Sequence, residues 1–259
     1  MADLARMYRV IGNYVKAVEL KKHVLLVSRR LYGDEHDETL RAMSYLVHSY
    51  RDMGEYQKAI ELAEKVVEVR MRLFDHEHPT TLQAMAHLGA TYHRQGRYEE
   101  AAELEEKLLE TELKLFGENH NETLEVMVEL GCTLRELGKF DESIRLLEQA
   151  IEGQKNLGGT EHPDTLWAQL NLYLVHQQRG MQITQEMENV EKGMIKALGN
   201  AHPLTLTASH HLALSYRQNG QLETAQALLQ RVVEKRKEIF GETHPSTIAS
   251  IELMESCRI

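Results

Sequence analysis

Two cysteines in 259 residues, Cys132 and Cys257, are too few and too far apart for a disulfide framework or a zinc knuckle. A reducing, cytoplasmic compartment is the natural expectation. No stretch of 18 consecutive apolar residues exists, which predicts no membrane-spanning helix, and the N-terminal "MADLARMYRV" lacks the apolar centre of a secretory signal. Basic charge is also scarce. Forty Asp and Glu against 30 Lys and Arg leave a net charge of −10, without the basic footprint that nucleic-acid binding needs. Nucleophile and nucleotide motifs of the GxSxG and GxGxxG types are missing. The nearest approach to a phosphate loop, "GCTLRELGKF" (131–140), has six residues between its glycines and Phe140 after the lysine. Glutamates are abundant, but most are expected on outward helix faces, as in "YEEAAELEEK". An enzyme is therefore not expected, nor a cofactor. Few aromatics (6%), four prolines and 42% hydrophobic residues suit a helical protein.

What is present is a repeat. A loop histidine recurs in "HDET" (36–39), "HPTT" (78–81), "HNET" (120–123), "HPDT" (162–165), "HPLT" (202–205) and "HPST" (244–247), at intervals of 42, 42, 42, 40 and 42 residues. Turn glycines at Gly12, Gly54, Gly96, Gly138, Gly180 and Gly220 keep the same spacing. Within "TLQAMAHLGATYHRQGRYEEAAELEEKLLETELKLFGENH" (81–120), Leu82, Met85, Leu88, Gly89 and Tyr92 share one helical face. Gly96 can take the positive φ that ends a helix. Tyr98, Ala101, Ala102, Leu104, Leu108, Leu109 and Leu115 then line a second, longer helix, stopped by Gly117. Each unit is predicted to be a helical hairpin with a first helix of about 14–16 residues and a second of about 17–19.

Small residues share one register in the first helix (Ala5, Val47, Gly89, Gly131, Ala213) and one in the second (Ala17, Ala59, Ala101, Ser143, Ala225), which lets the two axes approach closely. A lone hairpin cannot bury its other face, so only stacking gives a continuous core. The units run at about 1–35, 36–77, 78–119, 120–161, 162–201 and 202–243, with a terminal helix at 244–259, and form one repeat domain. The first unit has no histidine loop and neither end shows a polar capping helix. A segment of a longer protein, or termini that pair with something, is the corresponding expectation.

The pattern L-G/A-x-x-Y-x-x-x-G-x-Y/F-x-x-A, as in "LGATYHRQGRYEEA" (88–101), resembles the tetratricopeptide repeat. The 42-residue period with "LFGENHNETL" or "IFGETHPSTI" between units is similar to the kinesin light chain type, and to arrays at the C-termini of fungal NOD-like receptors. The resemblance covers essentially the whole chain. It implies an all-α, right-handed α-solenoid whose first helices line a concave binding face.

The loop "DHEHPTTL" (75–82) could suggest a metal site through His76, Glu77 and His78. Zinc needs several ligands within about 2.0–2.3 Å of one ion, however, and loops of successive units are separated by a helical layer on the order of 10 Å thick. Proline favours the first helical position, so the preceding histidine is expected near the N-cap. The pair His87 and His93, and the adjacent His210 and His211, lack ligand spacing on one face. No metal site is expected.

On the first helices, three residues before the turn glycine, stand Arg9, Arg51, His93, Arg135, Gln177 and Arg217, with Arg94 adjacent. Such a row suits the carboxylates or phosphates of a ligand through bidentate hydrogen bonds. The competing reading is internal pairing, since Asp52 and Glu136 follow directly and Glu125 and Glu129 make the face mixed in sign. Kinesin light chains carry an asparagine before the leucine of the L-G/A pair, where it holds peptide backbone. Here that position reads Tyr45, His87, Glu129, Asn171 and His211, so only Asn171 matches. Together with His48 these residues suggest a face with a different preference and a sensitivity to pH.

One unit is irregular. It has Tyr173 where others have a small residue, His176 where most have tyrosine, Gln185 where alanine is expected, and two residues fewer between Gly180 and His202. It also holds the single tryptophan. Drift of one repeat and a specialised pocket near Trp167, Asn171 and Gln177 are both compatible with this. The favoured function is non-catalytic binding of a protein or peptide, with acidic groups suited to the arginine row, as part of a larger protein. Self-assembly into homo-oligomers through the ends is the alternative, and a metal-dependent enzyme the remote one. Neither nucleic acid nor membrane is an expected partner.

Overall fold

A computed structural model describes residues 14–257. Among these it contains twelve helices and no strand: α1 (Tyr14–Tyr32), α2 (Asp37–Asp52), α3 (Tyr56–Leu73), α4 (Pro79–Gln95), α5 (Tyr98–Phe116), α6 (Asn121–Glu136), α7 (Phe140–Gly158), α8 (Pro163–Gln178), α9 (Thr184–Leu198), α10 (Pro203–Gln218), α11 (Leu222–Phe240) and α12 (Pro245–Glu255). The even-numbered helices are the first helices of the hairpins and the odd-numbered ones the second. The chain divides into two compact units, Met1–Leu115 and Phe116–Ile259. Within each, helices pack on their sequence neighbours and first helices touch across hairpins: α2 on α4 in one, α6 on α8 and α8 on α10 in the other. Gly12 and the small residue Ala5 lie outside the described residues.

The joints between hairpins are built by the histidines. His36, His78, His162, His202 and His244 are N-caps, each accepting at Nδ1 the backbone N–H two residues on, at 3.2–3.4 Å. This satisfies one of the donors that a helix start leaves open. Pro79, Pro163, Pro203 and Pro245 follow at the first helical position, where the missing N–H costs nothing. The ring is held from behind by an aromatic four residues earlier: Tyr32 on His36, Phe74 on His78, Phe116 on His120 and Phe240 on His244, with centroids 4.3–4.7 Å apart. At His162 no aromatic stands there, and Gly158 lies so close that a Cβ would meet the ring at 2.7 Å. Ring and backbone are thus both engaged in holding the turn. His76, by contrast, is exposed and reaches only Glu77.

Between hairpins the core is apolar, with Leu40, Met43, Leu124, Leu147, Leu170 and Leu206 at 0–5% exposure. The predicted small registers are where helices come closest. Ala59, Ala101, Ser143, Ala213 and Ala225 are fully buried, and the Ser143 hydroxyl donates to the Gly131 carbonyl across the hairpin at 2.6 Å. At Gly131 a Cβ would fall 2.8 Å from the branch carbon of Leu147. Gly131→Ala therefore overpacks the α6–α7 contact by more than the roughly 1 kcal/mol that alanine returns in helix propensity. Its expected net effect is a loss of about 1–2 kcal/mol, to be measured by urea unfolding; a more stable variant would show that the helices slide apart freely.

A second tie recurs at fixed distance. Tyr92 Oη donates to Glu64 at 2.7 Å and Tyr216 Oη to Glu188 at 2.8 Å, each linking a first helix to the second helix of the preceding hairpin, 28 residues earlier. Burial and the carboxylate push both phenols up to about 12. In the copy with lysine at that place, Lys22 sits 5.6 Å over the Tyr50 ring. Surface ion pairs add a third repeat-to-repeat link, Arg72–Glu35, Lys114–Glu77 and Lys196–Glu161. Being exposed, these pairs are screened by solvent and add little to stability.

From α2 to α11 the first helices run 16–17 residues and the second 18–19, apart from α9, which has 15. That exception corrects the alignment of the irregular unit. Counted back from the loop histidine, Ile183, Met187 and Val190 of the α9 segment occupy the places of Ser143, Leu147 and Ala150 on α7, and all are buried. Gln185 is exposed and does not stand at the small position. The helix has lost its first turn, and residues 181–183 form a non-helical link instead. Tyr173 packs half-buried against the cluster of Leu170, Ile183 and Met187.

Candidate binding site

The first-helix face presents the predicted residues differently in the two units. Arg9 lies outside the described residues. In the first unit α2 and α4 bring His48, Arg51 and His87 together: an Arg51 guanidinium nitrogen is 3.0 Å from His48 Nδ1, and the His48 and His87 rings meet edge to face at 4.3 Å. His87 is pushed down to about 4, by burial first and then by the Arg51 charge. It is therefore a neutral imidazole at physiological pH. Tyr45, one turn before His48, is 52% exposed, and its backbone carbonyl accepts from Lys21 at 3.1 Å. His93 turns toward its own hairpin and packs edge-on against Tyr98 at 5.3 Å, while Arg94 is exposed.

In the second unit the corresponding side chains are engaged with one another. Arg135 is bound through Nε and Nη2 to the Glu136 carboxylate at 3.1 and 2.6 Å, and through Nη1 to Asn171 Oδ1 at 3.4 Å. Asn171 is buried, and its Nδ2 donates to the Trp167 carbonyl at 2.9 Å. The amide whose position resembles the peptide-holding asparagine of kinesin light chains thus has both ends occupied from within. Trp167 leans on the apolar cluster of the irregular unit. Gln177 reaches forward instead, with Nε2 donating to Gln218 Oε1 at 2.9 Å, so Trp167, Asn171 and Gln177 do not converge on one pocket. Arg217 donates to Ser256 Oγ at 2.6 Å. His211 is pushed down to about 3 by burial and by His210, Arg135 and Arg236.

Two residues of this region are not among the site residues expected from the sequence. His210, pushed down to about 4 by burial and then by Arg236, bonds Ser250 Oγ through Nδ1 at 3.0 Å. Arg236 is 4% exposed and donates to the Ser246 and Leu206 carbonyls and to Ser250 Oγ at 2.6, 3.3 and 2.7 Å. The readable signal is positional. Arg70, Gln154, Met194 and Arg236 all stand eight residues before a loop histidine, and all are buried, so one place in each hairpin accepts either a polar or an apolar side chain. Among the described residues no three His, Cys, Asp or Glu side chains group as metal ligands, and no helix is long and apolar enough to cross a membrane.

Comparison with known proteins agrees with this architecture. A tetratricopeptide repeat family model matches residues 1–70, 41–111, 106–156 and 122–182, and a second such model matches 205–246. A solved Podosopora anserina protein of nearly identical TPR-like repeats, assigned as a kinesin light chain, is 31% identical; the match covers 78% of this chain and 97% of that one, with a TM-score of 0.58. BtubC of P. vanneervenii shares the fold at 19% identity (90% and 94% covered, TM-score 0.61). A Rap protein complexed with Competence and Sporulation Factor shares it at 12% (99% and 73% covered, TM-score 0.62). A search of curated proteins gives no match. Matched along most of its length, and by a kinesin light chain-like repeat structure at 31% identity, this chain belongs to the tetratricopeptide repeat family.

Proposed function

We propose that the chain is a non-catalytic module that binds a protein or peptide segment on its first-helix face, with the α2–α4 surface as the principal contact. The observation that carries this reading is the Arg51–His48–His87 cluster. It sets a guanidinium charge beside two imidazoles, with the exposed Tyr45 one turn before His48 on the same helix, an arrangement that suits an acidic side chain near apolar surface. Burial keeps His87 neutral, so its ring adds hydrogen-bonding capacity without adding charge. Arg94 extends the basic character along α4. In the second unit Arg135 is paired with Glu136. The solved Rap complex, a distant structural neighbour, supports the coarser point that a fold of this type accommodates a bound factor.

Selection from a random peptide display library, followed by fluorescence anisotropy with the most enriched peptide, tests the proposal. Enriched peptides are expected to carry Asp or Glu. Arg51→Ala is expected to weaken binding by about 10–100-fold, since a charge-assisted hydrogen bond contributes roughly 1.5–3 kcal/mol, while the melting temperature stays unchanged. Enrichment of peptides without acidic residues, or equal affinity of R51A, overturns it.

A further inference from the structure

A cleft of about 460 Å³ lies between α8 and α9 and is lined at one end by the loop residues Thr160 and Glu161. It is separate from the first-helix face. Its walls depart from the repeat pattern at two adjoining places. Gln169 stands where other first helices bury Met43, Met85, Met127 and Ser209, and Tyr173 stands where they have Val47, Gly89, Gly131 or Ala213. An apolar contact has thus become a half-buried surface with an amide and a phenol.

The charges around this surface are unevenly satisfied. Lys196 is paired with Glu161 at 2.6 Å, and Lys192 lies 3.5 Å from Glu188. Among the described residues, the Glu186 carboxylate, the Tyr173 hydroxyl and the Gln169 amide make no hydrogen bond or ion pair, although all three line the cleft. Glu186 stands close enough to Tyr173 for its charge, after burial, to hold the phenol above its ordinary range. A carboxylate without a counter-charge beside an aromatic ring and an amide carbonyl suits a planar cation, which a ring face and two acceptors can hold at once.

We propose that the α8–α9 cleft is a second binding site, which takes an arginine side chain of a partner peptide, with the guanidinium against Glu186 and over the Tyr173 ring. A peptide fits better than a free amino acid because the cleft follows α9 from Glu186 to Lys196, about 15 Å at 1.5 Å per residue. A single arginine fills only one end of that length.

A fluorescein-labelled hexapeptide with one central arginine among glycine and alanine, compared with its citrulline counterpart, tests the site by anisotropy at low salt. The arginine peptide is expected to bind about tenfold more tightly than the citrulline peptide. E186Q, a change at an exposed position, is expected to remove most of that difference, as is Y173L, whereas Y173F retains it. R51A, in the other unit, leaves it intact, so failure here is distinguishable from failure of the first-helix reading. Equal binding of the citrulline peptide, full binding by E186Q, or free arginine competing as well as the peptide overturns the proposal.

Discussion

Lowering the pH from 7 to 5 is expected to cost the unit Phe116–Ile259 about 4 kcal/mol through His210 and His211 alone. Both are held neutral in the fold, at about 4 and about 3, chiefly by burial. Their surroundings offer cations and hydroxyls: Arg236 and Ser250 face His210, while His210, Arg135 and Arg236 face His211. The direction follows from linkage. A folded pKa below the unfolded value of about 6.5 means that the unfolded chain takes up protons first as the pH falls. The stabilisation is complete above about pH 6.5 and is lost progressively down to the folded values. At pH 5 each group contributes a loss of roughly 2 kcal/mol, given about 1.36 kcal/mol per pKa unit. Among the described residues of the first unit His87 is the one such group, and that unit is expected to lose about half as much. Thermal melts from about pH 7.5 to 4.5 measure the slope, and His211→Leu combined with His210→Gln should flatten it. Parallel slopes for wild type and double variant would show that protonation at these sites is absorbed without cost.

Arg236→Ala is expected to destabilise the α10–α12 packing by about 3 kcal/mol, whereas Arg236→Met should cost about 1 kcal/mol or less. Burial pulls this guanidinium down to about 10, so it remains charged at neutral pH, and among the described residues no carboxylate pairs with it. Truncation to alanine leaves a cavity and removes three charge-assisted hydrogen bonds. The two carbonyls it leaves behind belong to helices, and Ser246 O still accepts from Ser250 Oγ at 3.2 Å. Methionine refills the volume, as Met194 does at the equivalent place with 0% exposure. Hydrogen exchange reads the difference: α12 amides should lose protection in R236A and keep it in R236M. Equal loss in both would mean that the arginine's hydrogen bonds, not its volume, hold the last helix.

The fold is largely legible because the repeat multiplies each weak signal. One proline after a histidine says little, but six loops in phase with six turn glycines leave hairpin stacking as the economical reading. The histidines are readable as part of the joint because the N-cap geometry is local, set by residues two or three apart. The aromatic four residues earlier belongs to the same local grammar and can be read with it. Even the Tyr–Glu ties stand at a fixed 28-residue spacing.

The site is less legible, since equivalent positions do not have equivalent partners. Arg51 and Arg135 stand at one register place, yet one meets histidines and the other a glutamate and a buried asparagine. Aligning on the turn glycine also misplaces Gln185. A two-residue deficit can be taken up by a loop, by a helix or by both, and sequence spacing does not distinguish them. Here the helix shortens and the link lengthens, because keeping Ile183, Met187 and Val190 in the core outweighs keeping one more turn.

The helical period, the hairpin unit and the capping joints all follow from the order of residues alone. They depend on composition and on spacing within about four residues. Which charges are already paired, which histidines are neutral and where the irregular repeat opens a cleft are settled only once the hairpins pack. Those features need side chains far apart in the chain to meet across a helical layer, as Arg135 meets Asn171 and His210 meets Ser250.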